Sequence, residues 1–245
     1  MNTYPKTEKY ESKWIEENWM GPNPLQLLEE LCNNMNLSPG MKVLDMGCGK
    51  GLTSIFLAKE FDVTVFANDL WIDPTENLER FKEAGVDDKV FPLKAEAHGL
   101  PYAEGFFDAA IAIDSYQYYG ADEIYFPVTF SKLVKQGGQF GIVCPGLMQE
   151  FKKGYPETHE SFWYEDMFSF HSADWWKNLW EKTELVDITS CYNIPDAKKI
   201  WYSWAHWARE NLGYLKDEVG FDDIEFLDAD TEDQITLLAM TAVKK

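Results

Sequence analysis

The nine residues Val43-Leu44-Asp45-Met46-Gly47-Cys48-Gly49-Lys50-Gly51 hold the strongest chemical signal in the chain. An apolar run enters a glycine-rich turn, and the turn opens a helical pattern. Glycine permits backbone geometries and close approaches that a Cβ would obstruct, and the helix that follows presents free N–H groups at the positive end of its dipole. Such a turn suits a nucleotide or nucleoside. A tight strand-to-helix turn with no ligand is the competing reading. Asp69 closes the next apolar run, 24 residues beyond Asp45, where a carboxylate can accept both hydrogen bonds of a ribose diol; capping a turn is its other common use. Together these features describe an adenosine site and leave hydride transfer and methyl transfer open.

The remaining reactive side chains are less ordered. An attacking atom that must lose a proton needs a base, and His98, Tyr118, Tyr119, His171 and His206 are the candidates. None is singled out by spacing, and an ordinary hydrogen-bonded or surface role competes for each histidine. Tyr116, Tyr118 and Tyr119 follow Asp114, where a bound molecule would be close to the cofactor. Trp175-Trp176 and the set Trp201, Trp204, His206 and Trp207 read first as core packing. The sharper reading joins some of them with Trp14 and Trp19 as an apolar or amine-stacking wall, worth ~0.5 to 2 kcal/mol per cation–π contact. The histidines lack ligand spacing and Cys32, Cys48, Cys144 and Cys191 lie far apart, so the reading includes no metal and reduced thiols.

The elements that must position these residues alternate. KVLDMG is a buried strand, GLTSIFLAKEF a helix, DVTVFAND a strand and TENLERFKEAG a helix. Strands near 89–94, 107–114 and 138–144 follow, with a helix expected over 122–134. This rhythm implies right-handed crossovers and a mostly parallel sheet covered on both faces. Residues 7–19 and 25–32 carry helical spacing around the breaker Gly21-Pro22-Asn23-Pro24. After Pro145 an aromatic stretch reads as loop plus helix; LVDITSCYN, a helix through KKIWYSWAHWARENL, an acidic loop and the strand ITLLAMTAV complete the chain.

Hydrophobic residues make up 45% of the 245 and aromatics 16%, enough for a sizeable core. No apolar run approaches the roughly 20 residues of a bilayer span, and residues 1–13 lack a leader-like apolar segment, so a cytoplasmic protein is expected. The formal net charge of −20 repels phosphate backbones and anionic membranes. Nucleic acid and stable membrane association are therefore not expected; a homodimer is left open. Solubility is the plain reading of the acidity, and attraction of a cationic substrate is the other.

Across residues 41–145 the sequence resembles the class I, Rossmann-like S-adenosylmethionine (SAM)-dependent methyltransferases. VLDMGCGKG looks like their first motif and Asp69 like their ribose acid. AEAHGLPY (95–102) resembles the segment at the adenine amine, FDAAIAIDSYQYY (107–119) the fourth-strand motif, and GGQFGIV (137–143) the fifth strand. The resemblance implies an α/β, doubly wound, mostly parallel seven-stranded sheet, with the last strand inserted antiparallel beside the fifth. It implies one domain: an N-terminal helical cover (1–40), the SAM-binding core (41–145) and aromatic-rich lid or substrate insertions (146–183 and 195–232).

Carried over, Asp45, Gly47 and Gly49, with Cys48 and Gly51 of the same turn, would line the methionine end of SAM. Asp69 would hold the ribose, and Leu70 or Trp71 would flank adenine. Glu96 would face the adenine amine, where the family more often has Asp, with Ala97 offering a backbone N–H. Asp114 would approach the sulfonium or the amino group, and Gly21 would fold over the cofactor. The implied activity is methyl transfer to a small-molecule acceptor, leaving S-adenosylhomocysteine. The same motif also resembles the cyclopropane fatty acid synthases, which transfer a methylene equivalent to lipid, and a non-catalytic SAM-binding sensor or subunit is a further alternative.

Overall fold

Strand β1 (Lys42–Met46) shows how the sheet divides the core: Val43 packs into one apolar layer, Leu44 and Met46 into the other. The computed structural model describes residues 3–152, 155, 157–212 and 221–245. Strands β2 (Thr64–Asp69), β3 (Val90–Lys94), β4 (Phe107–Ile113) and β5 (Val134–Leu147) lie parallel to β1, and β7 (Val186–Asn193) pairs with β8 (Ile235–Lys244). The order is β3-β2-β1-β4-β5-β8-β7, with β8 antiparallel to both neighbours. This is the seven-stranded, doubly wound sheet that the sequence implies. A two-residue strand, β6 (His171–Ser172), adds a short eighth pairing at Gly146 and Leu147.

Alternation along β4 and β8 fills both layers, as a sheet covered on two faces requires. Ala109, Ile111, Ile113, Leu237 and Ala239 face the layer that holds α2 (Pro24–Cys32), α3 (Leu52–Phe61), α8 (Ala197–Asn211) and α9 (Asp223–Ala229). Ala110, Ala112, Leu238, Met240 and Ala242 face the layer of α7 (Ala173–Glu181).

Three segments differ from the sequence reading. The helix expected over 7–19 is a 3-10 turn at Thr7–Lys9, held by the buried Glu29 carboxylate on the Lys6 and Thr7 N–H groups and the Thr7 hydroxyl, then α1 (Ser12–Asn18) after a break at the extended Tyr10 and Glu11. The helix expected over 122–134 is a π-helical turn at Phe126–Phe130 running into a last turn at Ser131–Leu133, closed by the Ser131 N–H on the Phe126 carbonyl. Pro127 supplies no donor there. In the aromatic stretch expected to be a lid, α7 instead covers the sheet: Ser172 caps it, and Trp176 and Trp180 are fully buried, Trp180 stacked on Phe126 with ring centres 4.2 Å apart. The acidic loop expected after α8 falls largely on 213–220, outside the described residues.

Candidate functional site

In this strand order the chain leaves β1 toward β2 and β3 on one side and returns to β4 on the other, so the ends of β1 and β4 flank a crevice, the usual ligand position in such sheets. A cavity of about 280 Å³ opens there. Its lining comes from the four strand ends and the N-terminal segment: Met46–Lys50 after β1, Asn68–Trp71 at β2, Ala95–His98 after β3, Ile113–Ser115 at β4, then Tyr118, Tyr119 and Asn18–Pro22.

The glycine turn is locked to the end of β2. The N–H groups of Gly47 and Cys48 donate to the Asn68 carbonyl at 2.8 and 3.0 Å, and Gly49 N–H donates to Asp69 Oδ2 at 2.8 Å. Gly47, Gly49 and Gly51 all take left-handed φ, which only glycine adopts without strain. These three turn N–H groups are therefore bonded inside the protein. Asp69 also accepts from Trp71 N–H and Ile72 N–H through Oδ1, at 2.8 and 2.9 Å. It is both the turn-capping acid and a cavity residue.

Other sequence candidates separate into those at the cavity and those away from it. Gly21, Gly47, Cys48, Gly49, Asp69, Leu70, Trp71, Glu96, Ala97, His98, Asp114, Tyr118 and Tyr119 line it. Asp45 does not: its Oδ2 accepts the hydroxyls of Thr53 and Ser54 at 2.6 and 2.5 Å, and burial pushes its carboxyl up to about 6. Gly51 is also behind the wall, where a Cβ would overlap the Phe81 ring. Tyr116 is a core residue, fully buried against Trp176 and Trp180. His171 stacks on Trp175 at 3.6 Å and pairs with Glu150, and His206 is exposed on α8 beside Tyr202. Spatial position, which spacing does not report, thus leaves only His98, Tyr118 and Tyr119 of the five proposed bases at the cavity.

Within the lining, Glu96 accepts the His98 N–H and pairs with its Nδ1 at 2.7 Å, a bond that holds the Glu96 carboxyl low. Trp71 and Tyr118 meet edge to face across the mouth with centres 6.1 Å apart. Asp114 stands at the end of β4 with φ +51, its N–H on the Val143 carbonyl and its Oδ1 accepting from Gln117 Nε2 at 3.2 Å. Desolvation pushes its carboxyl up to about 7, with Asp223 adding to the rise. A Cβ on Gly21 would overlap Asp114 Oδ2, so the N-terminal segment lies directly on this carboxylate.

Of the tryptophans read as a pocket wall, Trp19 lines the cavity and Trp14 does not, while sequence reasoning missed Asn68. Trp19 Nε1 and Asn68 Oδ1 are buried and have no hydrogen-bond partner. A buried donor or acceptor left unpaired costs ~1–3 kcal/mol, so this pair marks where a polar ligand would be welcome. Trp19 is held edge to face against Trp204 and Trp207 at 5.8 and 5.6 Å, which ties the N-terminal segment to α8.

Comparison with known proteins agrees with the geometry. Residues 43–138 match the family model described as a methyltransferase domain. Methyltransferase GfsG of Streptomyces halstedii is 35% identical over 91 residues, covering 37% of this chain and 33% of its own. Phosphoethanolamine N-methyltransferase 1 of Arabidopsis thaliana is 34% identical over 116 residues, 47% of this chain and 23% of that one. The chain thus spans a third or less of the length of these two relatives. Among solved structures, phosphoethanolamine N-methyltransferase 2 of Haemonchus contortus, in complex with S-adenosyl-L-methionine, superposes with TM-score 0.70 at 17% identity, covering 100% of this chain and 60% of that chain. The cyclase SpnF also has a TM-score of 0.70, at 16% identity, with 93% and 83% of the two chains covered. One fold evidently carries more than one chemistry.

Proposed function

We propose, from the premise that residues 43–138 belong to the class I SAM-dependent methyltransferase family, that the chain transfers the methyl group of SAM to a small-molecule acceptor. The observation that carries the reading is the locked glycine turn. Its Gly47, Cys48 and Gly49 N–H groups are bonded to Asn68 and Asp69, which fixes the turn and sets the Asp69 carboxylate at the cavity where a nucleoside ribose would lie.

Bound SAM supplies an electrophilic methyl group on a sulfonium. Asp69, which uses one lone pair of Oδ2 and two of Oδ1 on backbone amides, has capacity left for a ribose hydroxyl. Trp71 and Leu70 are exposed at the cavity and offer apolar faces for adenine. Trp19 Nε1 and Asn68 Oδ1 provide an unpaired donor and an unpaired acceptor. The N-terminal segment, resting on Asp114 through Gly21 and on α8 through Trp19, excludes water and aligns the two reactants. Alignment of this kind is the main task of the protein in an in-line displacement, and in model reactions it supplies up to about 7–11 kcal/mol.

A cytoplasmic location belongs to the same proposal, supported by four free cysteines. No helix among the described residues is long and apolar enough to cross a membrane.

Titration calorimetry with SAM and S-adenosylhomocysteine tests the donor, and a metabolite library screened for acceptor-dependent S-adenosylhomocysteine tests the transfer. Binding with turnover supports the reading. Absence of heat with both nucleosides, on folded protein, overturns it.

A further inference from the structure

Beside the glycine turn, where Ser115 packs against Gly47, Tyr119 and Asp114 bring two hydrogen-bond acceptors to the cavity. Ser115 Oγ lies 2.7 Å from the Met46 carbonyl, which can only accept, so the single serine proton is committed there. The 3.0 Å contact between Ser115 Oγ and Tyr119 Oη must then be donated by the tyrosine. Tyr119 consequently turns lone pairs, not its proton, toward the cavity that it lines. Burial raises its phenol well above the ordinary value, so it stays neutral and is not a base.

Asp114 is the second acceptor. The half-buried carboxylate is fixed from three sides, by its N–H on Val143, by Gln117 Nε2 on Oδ1 and by Gly21 over Oδ2. Nearby titratable groups are Asp223 from α9 and the Cys144 thiol of β5, both uncharged or acidic. Among the described residues the lining holds two basic side chains. Lys50 is bonded to the Glu17 carbonyl at 3.2 Å, and His98 is paired with Glu96. Each therefore already has an oxygen partner within the protein. Trp19 and Tyr118 supply aromatic surface around the same space.

We propose that the methyl acceptor is an amine, held through its N–H groups by the Asp114 carboxylate and Tyr119 Oη, with Asp114 taking the proton released on methylation. The inference rests on the methyltransferase reading above. The amine lone pair forms the N–C bond as the C–S bond breaks, and the bonding pair of the latter stays on sulfur. The proton shed by the new ammonium passes to Asp114 and then to water. Two acceptor oxygens at one place favour a hydrogen-bond donor there over a phosphate or carboxylate, which those oxygens would repel.

Calorimetry on the protein saturated with S-adenosylhomocysteine tests this with a matched pair of probes, 2-phenylethylamine and 3-phenylpropanoate. The amine should bind and the carboxylate should not. Asp114→Asn should weaken the amine at least tenfold while S-adenosylhomocysteine affinity changes less than threefold. With an arylamine that turns over, which is itself neutral across this range, kcat/KM should rise with pH to a plateau above about 7, and the Asn variant should lose at least a hundredfold in kcat together with that inflection. Equal or tighter binding of 3-phenylpropanoate overturns the proposal, as does failure of the amine to bind. An Asp114→Asn loss confined to S-adenosylhomocysteine affinity overturns it too, by assigning the carboxylate to the donor. Failure of S-adenosylhomocysteine itself to bind the unmodified protein is a different result, because it removes the methyltransferase reading.

Discussion

Asp69 Oδ2 accepts the Gly49 N–H at 2.8 Å, so a carboxylate that ends β2 holds the shape of the turn that follows β1. The same side chain caps Trp71 and Ile72 through its other oxygen. A residue read as a ligand for ribose is thereby also a structural brace.

Replacing Asp69 with Ala should show both roles. Three backbone N–H groups lose a charged acceptor, and hydrogen bonds to charged groups contribute about 1.5–3 kcal/mol each where water cannot replace them. The expected result is a lower melting temperature together with at least a tenfold loss in S-adenosylhomocysteine affinity by calorimetry. Unchanged affinity would assign Asp69 to the turn alone.

Two glycine substitutions should separate stability from binding. Gly51→Ala forces a side chain into left-handed φ and against the buried Phe81 ring, and should destabilise by about 2–4 kcal/mol in chemical denaturation. Gly21→Ala strikes Asp114 Oδ2 at the cavity instead. It should leave the denaturation midpoint nearly in place and weaken S-adenosylhomocysteine; deletion of residues 1–22 should weaken it too, while also lowering the midpoint through the loss of the buried Ile15 and Trp19.

The buried carboxyls set a pH dependence of stability with a definite sign. Asp45 is raised to about 6 and Asp114 to about 7, both by desolvation. Between the ordinary value near 4 and these values the folded state holds more protons than the unfolded state, so stability falls as pH rises. For Asp45 the full loss is roughly 3 kcal/mol. Unfolding free energy should therefore be larger at pH 5 than at pH 8. The lowered carboxyls of Asp108 and Asp222 oppose this only toward pH 4 and below. Asp114→Asn should flatten the slope at its upper end, and a slope of opposite sign would contradict the assignment.

Trp19 should behave as the latch of the N-terminal segment. Trp19→Ala removes a nearly buried ring from its edge-to-face contacts with Trp204 and Trp207, a truncation that costs about 3–5 kcal/mol in a core. Limited proteolysis should then cut within residues 3–24 far faster, while Trp19→Phe keeps most of the protection. Equal cleavage of all three proteins would show that the segment is held elsewhere.

Periodicity made the sheet legible because β1, β2 and β4 are apolar runs interrupted by glycine or acid at their ends. The cavity residues at those ends came with them. Where the reading departed from the structure, a long-range contact decided the outcome. Glu29 anchors the turn at Thr7–Lys9 through the Lys6 and Thr7 N–H groups, apart from α1, and Trp176 and Trp180 turn a supposed lid helix into sheet cover. Asp45 sits in the glycine motif, yet its neighbours Thr53 and Ser54 both claim one of its carboxylate oxygens, Oδ2. Those partners follow within nine residues, so a hydroxyl pair one turn into the next helix was a usable signal. The polarity of the Tyr119–Ser115 bond had none, because it depends on a carbonyl of β1.

The position of β8 between β5 and β7 orders events during synthesis. Gln139–Leu147 gain an antiparallel neighbour only when Ile235–Val243 leave the ribosome, and β7 has no edge to join before then. The nascent chain carrying β1 to β5 must wait, with an open flank, for almost a hundred further residues. That interval is when a chaperone would find this protein most in need of shelter.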